Sequence, residues 1–260
     1  MIQQSFKENS RYIWGGVYPS WDLACEAAKD ACSGQGLSGD RWLQRIKQQL
    51  NDYRNELKFH GIAMPPRSSS LPLVCAMINP DTVLDFGGSC GWCWDYLQNS
   101  LHSHNITSYF IIETKEVIGC MIESGLQIEP IVYKTIDDAI GQIDLLYCNS
   151  ALQYFGSNNP LISLIERAQP AYILLEDLVA INQEDFYTIQ TFHNSAIPYR
   201  FIGLPILLEE LRVKGYLEMV RFPYASPIDG MIKPLPMDNF PKKNQVRHSL
   251  SVLLSKKSSK

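Results

Sequence analysis

The chain lacks a basic surplus: its 260 residues carry 23 Lys and Arg against 27 Asp and Glu, a formal charge of −4. Nucleic-acid binders usually carry an excess of cations, so no nucleic-acid partner is expected. The tail is basic, at Lys256, Lys257 and Lys260, as a short solvated terminus would be. A run of about 18 apolar residues is also missing, so no membrane span is expected. The stretch from Met1 to Glu8 has no apolar segment, so no secretory signal is expected either. Repeats and long low-complexity segments are absent. With 45% hydrophobic and 19% charged residues, a disordered, collagenous or coiled-coil chain is excluded. Cysteine is present but odd in number, at seven, and sits mostly inside apolar stretches. That is the usage of a reduced, cytoplasmic protein with buried thiols. No cysteine and histidine set has metal-ligand spacing, so no metal is expected.

The first sixty residues read as helical. Trp21 to Cys32 is rich in Ala and acidic residues. From Asp40, a candidate N-cap, the apolar positions Leu43, Ile46, Leu50, Tyr53 and Leu57 follow 3-4-3-4 spacing, the stripe of a helix packed on a core. Gly61 should end that helix, and Met64-Pro-Pro-Arg-Ser-Ser-Ser70 reads as a linker. Residues 1–70 are therefore expected to form a helical extension, and 71–260 the main domain. Beyond the linker, aliphatic runs at 82–86, 108–113, 130–134, 143–148 and 171–176 alternate with helical stretches near 92–102, 115–124, 136–141 and 160–168. Continuous apolar strands separated by helices predict an α/β fold with a parallel sheet covered on both faces. A helix near 204–214 then precedes strands near 216–222 and 248–254. These are joined by a long loop, which predicts an antiparallel C-terminal pair at the sheet edge.

The segment Thr82-Val-Leu-Asp-Phe-Gly-Gly-Ser-Cys-Gly-Trp-Cys-Trp94 reads as strand, tight glycine turn and helix start. Glycines at such a junction let backbone N–H groups approach a ligand. A dinucleotide is one candidate, but the G-x-G-x-x-G pattern is absent and Asp85 would face a pyrophosphate. S-adenosylmethionine is the second. It carries no phosphate, and its ammonium suits Asp85 while its ribose hydroxyls suit Glu113, the acid closing the next strand. A third reading is a thiol–disulfide oxidoreductase using Cys90 and Cys93, a C-x-x-C at a helix start.

The run Val83 to Gly91 resembles motif I of class I S-adenosylmethionine-dependent methyltransferases. Trp14-Gly-Gly-Val-Tyr-Pro-Ser-Trp21 is similar to the N-terminal signature of a bacterial methyltransferase family associated with surface-polysaccharide synthesis. Cys148 to Tyr154, Leu174 to Asp177 and Ile197 to Arg200 match it further. The resemblance implies a Rossmann-like sheet of seven strands, mostly parallel. It implies a cofactor site for S-adenosylmethionine on Asp85, Gly87, Gly88, Ser89, Gly91 and Glu113, with Asn149 and Ser150 bordering the methionine end. Ser89 and Cys90 stand where many relatives place Gly-x, a departure from the common turn.

Methyl transfer to a hydroxyl needs the acceptor proton removed as the oxygen attacks. Candidates for that task are His193, expected in a helix, together with Tyr154, Glu176 and Asp177 near the carboxyl ends of the fourth and fifth strands. Trp14 and Tyr18, in an aromatic and glycine-containing strip, are candidates for a lid over a sugar ring. Tyr199 and Arg200 are candidates for holding an anionic acceptor such as a phosphate or uronate. Trp92 and Trp94 either wall the pocket or pack in the core. The function these residues imply is methylation of a small-molecule or glycan acceptor. The alternatives are the thiol chemistry above and a methyltransferase-like subunit that binds without turnover.

Overall fold

Five mostly aliphatic runs build a central sheet, and their polar residues gather at or near the strand ends. They are β2 (Thr82–Phe86), β3 (Ser108–Ile112), β4 (Ile131–Lys134), β5 (Leu145–Asn149) and β6 (Tyr172–Leu178). In this computed structural model, residues 13–31, 37, 39–192, 195–225, 227–228 and 231–257 are described. Upstream lie β1 (Trp14–Tyr18), α1 (Trp21–Ala31), α2 (Asp40–His60) and α3 (Leu71–Ile78). Helices α4 (Trp92–Ser100), α5 (Lys115–Glu123) and α6 (Asn159–Ala168) intervene between the sheet strands. Downstream follow β7 (Ala180–Ile181), β8 (Phe186–Phe192), β9 (Ser195–Gly203), α7 (Leu204–Val213) and β10 (Tyr216–Pro223). A small hairpin, β11 (Pro227–Ile228) with β12 (Met231–Ile232), leads to the last strand, β13 (Leu250–Lys256).

The main sheet has seven strands in the order β10-β13-β6-β5-β2-β3-β4. Strands β4, β3, β2, β5 and β6 run parallel, with Asp85 opposite Ile111 on one side and Tyr147 on the other. The C-terminal strands form the expected antiparallel pair at the sheet edge, with β10 outermost. β13 inserts between β6 and β10 and is antiparallel to both, so β13 alone is reversed.

Three expectations are corrected here. The stretch 136–141 is not a helix. Asp138 accepts from the Thr135 amide at 2.5 Å and closes a turn instead, as a short aspartate side chain does readily. The region around His193 is not a helix either, since β8 and β9 pair antiparallel from Phe186↔Phe201 to Phe192↔Ser195. Its aromatic and β-branched composition favours strand. His193 itself lies outside the described residues. Third, the segment 14–18 is a strand. β1 pairs with β8 in a second, four-stranded sheet, β1-β8-β9-β7.

The α2 stripe is buried at Ile46, Leu50 and Tyr53. Gly39 rather than Asp40 occupies the N-cap, and Gly61, at φ 71°, closes the helix with its N–H on the Leu57 carbonyl. Arg54 fastens α2 to α4 and to the connection after α5, donating to Asp95 at 2.6 Å and to the Leu126 carbonyl at 3.0 Å. Among the described residues, no helix is long and apolar enough to cross a membrane.

Candidate active site

The carboxyl ends of β2, β3, β5 and β6 open into a cavity of about 550 Å³. Open α/β sheets bind ligands at this edge because the strand-to-helix turns leave backbone donors unpaired there. The glycine turn forms the floor. Gly87, at φ 75°, donates to the Ile112 carbonyl, and a Cβ there would lie 2.4 Å from the Ala151 Cβ. A Cβ on Gly88 would lie 2.6 Å from the Asp85 carboxylate. Gly91, at φ 79°, caps α4 but does not line the cavity. The turn is thus shaped around the acid that precedes it.

Asp85 is buried and accepts from the Tyr109 hydroxyl at 2.8 Å. Burial pushes its carboxyl up to about 7, against the pull of the Tyr109 bond. Glu113 lies across the cavity floor. Its two oxygens accept the Ser89 amide at 3.0 Å and the Thr114 amide at 2.9 Å, so the end of β3 and the glycine turn are tied through one carboxylate. Burial raises this group too, opposed by those two N–H donors. Asn149 and Ser150 follow β5. The Asn149 amide nitrogen donates to the Ser68 carbonyl at 3.1 Å and to the Tyr147 hydroxyl at 2.9 Å, while its Oδ1 is buried without a partner. A buried acceptor left unpaired is costly, and a ligand donor reaching it would relieve that cost.

Tyr154 and Asp177 line the opposite part of the cavity. Asp177 adopts φ 51°, unusual for a non-glycine residue. Its Oδ1 accepts from Ser249 at 2.6 Å, and its Oδ2 faces Arg67 at 3.5 Å. Burial raises its carboxyl, against Arg67 and Ser249. The Tyr154 hydroxyl donates to Gln190 at 3.1 Å.

Besides Gly91, five residues singled out from sequence lie elsewhere. Glu176 is buried but does not line the cavity. It accepts from Ser69, Ser70 and Tyr147, including the Ser70 amide at 2.9 Å, and so holds the start of α3. Trp14 packs in the core with its ring 5.5 Å from those of both Tyr199 and Phe201. Tyr18 lies outside the cavity wall, and Tyr199 stands behind Tyr154, edge-on at 5.4 Å. Arg200 is fully buried and committed to Asp185 at 3.2 Å, Asn158 at 2.8 Å and the Leu152 carbonyl. Trp92 lines the cavity, whereas Trp94 packs against Tyr109.

Other wall residues were not read from the sequence. Trp42, Arg45 and Gln49 come from α2, at 3-4 spacing on a face beside its apolar stripe. Arg67 comes from the segment 64–70, whose composition predicts a linker, and Tyr224 from the loop after β10. That segment is a fixed strap: the Ser68 carbonyl accepts from Asn149 and Tyr224, and Ser69 and Ser70 donate to Glu176. The serine run beside a Pro-Pro pair was the available signal, and two of its hydroxyls, on Ser69 and Ser70, bind the strand-end acceptor Glu176.

The C-x-x-C cysteines are buried free thiols. Burial pushes Cys90 up to about 12 and Cys93 well above the ordinary range, opposite to what a nucleophilic thiol needs. Among the described residues no group of His, Cys, Asp and Glu is arranged to hold a metal ion.

No family model matches the chain, and no curated protein matches it in sequence. Solved structures do match. One is a protein assigned as an S-adenosylmethionine-dependent methyltransferase from Listeria monocytogenes, with a TM-score of 0.50 and 12% identity over 73% of this chain and 100% of that one. An S-adenosylmethionine-dependent methyltransferase from Clostridium acetobutylicum matches with a TM-score of 0.49 and 10% identity, over 82% of this chain and 99% of that one. The strand order and the first likeness define the architecture: a Rossmann-like α/β fold of the class I methyltransferase type.

Proposed function

We propose that the protein binds S-adenosylmethionine in this cavity and transfers its methyl group to a hydroxyl of a sugar or glycan precursor. The observation that carries the cofactor reading is the cluster at the cavity floor. Asp85, Glu113 and the unpaired Asn149 Oδ1 present acceptors, and no phosphate-binding glycine pattern stands beside them. A ligand rich in donors and free of phosphate fits that set. Asp85 and Asn149 would hold an ammonium, Glu113 a pair of ribose hydroxyls, and Ile112 and Ile136 the flat faces of a purine. When bound, the cofactor supplies an activated methyl on a sulfonium. The chain then has to align the acceptor, exclude water and take one proton.

Asp177 suits the last task. It stands in the cavity wall beside Tyr154 and Tyr224, and its Oδ2 faces the cavity's Arg67 while Ser249 holds its Oδ1. Asp177 would take the acceptor hydroxyl's proton as the methyl leaves the sulfonium for that oxygen, the sulfur keeping the electron pair of the broken bond. Tyr154, Phe155 and Tyr224 offer aromatic faces on which a sugar ring can pack. Residues of α2 and the strap, including Trp42 and Pro66, complete the cover, which supports reading the N-terminal extension as a cover for the site. Calorimetric titration with S-adenosylhomocysteine is the first test. Wild type should bind one equivalent, and Glu113→Ala and Asp85→Ala should each weaken binding roughly tenfold or more, the scale of losing charge-assisted hydrogen bonds. No binding by folded wild type would overturn the reading.

A further inference from the structure

The anion-binding role that the sequence suggests for Arg200 is physically closed to it, because its guanidinium is buried and already paired. Arg67 is placed differently. Its side chain keeps 38% exposure, lines the cavity, and meets Asp177 through a single nitrogen at 3.5 Å. Arginine–carboxylate pairs that fasten elements in this molecule are closer, at 2.6 Å for Arg54–Asp95 and 3.2 Å for Arg200–Asp185. A guanidinium has five N–H donors in a planar fork, so the long contact leaves most of them for the cavity. The backbone behind it is fixed, since Asn149 and Tyr224 both bond the Ser68 carbonyl. A donor fork held in place loses little freedom on binding.

We propose that Arg67 recognises an oxyanion on the acceptor, so that the acceptor class is a hydroxyl compound bearing a phosphate or a carboxylate. This rests on the methyltransferase reading and names its substrate class. Asp177, with Ser249 on its Oδ1, meets Arg67 in the same cavity wall, which Tyr154 and Tyr224 also line, and can address the neighbouring hydroxyl. Oxyanion and hydroxyl are thereby read side by side. A neutral sugar would leave the exposed donors of Arg67 to water.

The test uses the full chain saturated with S-adenosylhomocysteine, titrated with inorganic phosphate and separately with sodium acetate at constant ionic strength. Binding is followed through the NMR signal of the Arg67 Nε–H and by calorimetry. One or both ions should bind in the range of about 1–10 mM. The affinity should drop roughly tenfold in Arg67→Ala and partly return in Arg67→Lys, which keeps the charge without the fork. Phosphate binding without acetate binding would assign a phosphate-bearing acceptor, and acetate binding a carboxylate-bearing one. No response to either ion, or an unchanged affinity in Arg67→Ala, overturns the proposal. Binding of S-adenosylhomocysteine is read in the same samples, so failure of the cofactor reading is seen separately.

Discussion

At the residue scale, the cavity is governed by carboxylates kept partly out of water. Asp85, pushed up to about 7 by burial, holds a proton in the folded protein at pH values where the unfolded chain, with its ordinary value of 3.8, has released it. The folded state therefore binds more protons across that window, and the ligand-free protein loses stability as pH rises through it, levelling off above about 7. Glu113 and Asp177, also raised by burial, add to the loss with the same sign. A cationic ligand group reverses the preference at Asp85, because it favours the ionised form. The dissociation constant for S-adenosylhomocysteine should accordingly tighten about tenfold from pH 6 to pH 8. In Asp85→Asn the profile should be weak and flat. A wild-type profile without slope would separate Asp85 from the ligand.

At the scale of elements, two short connections do most of the positioning. The glycine turn between β2 and α4 leaves no room for a side chain beside Asp85. Gly88→Ala should force the carboxylate aside and abolish measurable S-adenosylhomocysteine binding, with a far-ultraviolet spectrum close to wild type. The strap over 68–70 is the second. Glu176 accepts from Ser69, Ser70 and Tyr147 in the interior, so Glu176→Ala strands buried donors. It should cost about 2–4 kcal/mol in urea unfolding while the folded fraction still binds S-adenosylhomocysteine. A stable variant that has lost only turnover would return Glu176 to the chemistry.

At the scale of the whole molecule, the N-terminal segment belongs to the core that the C-terminal half builds. β1 pairs with β8, the Trp14 carbonyl accepts from Asn239 at 2.8 Å, and Trp14 shares a cluster with Phe186, Tyr199 and Phe201. Truncation to residues 71–260 should expose that cluster, and the fragment should unfold or aggregate where the full chain stays folded, as read by size exclusion and thermal melting. The same truncation removes Trp42, Arg45, Gln49 and Arg67 from the cavity wall.

Much of this architecture is written locally. Aliphatic runs bounded by glycine and polar residues specify β2 to β6 within two residues at each end, because a strand buried on both faces has few alternatives. Val83 to Gly91 likewise carries its own turn: the positive-φ glycines and the adjacent acid lie within nine consecutive residues. What depends on distant residues was not legible. Trp14, Tyr199 and Arg200 have the chemistry of a binding site, yet their partners Phe201, Asp185 and Asn158 bury them in the interior. Arg67 looked like part of a linker until Asn149, Tyr224 and Glu176, far along the chain, fixed the strap around it. The insertion of β13 between β6 and β10 is of the same kind. Local periodicity determines which segments become strands and helices. Which polar side chain reaches the cavity and which is satisfied inside the core is decided by contacts between residues remote in sequence, and only the assembled fold brings those together.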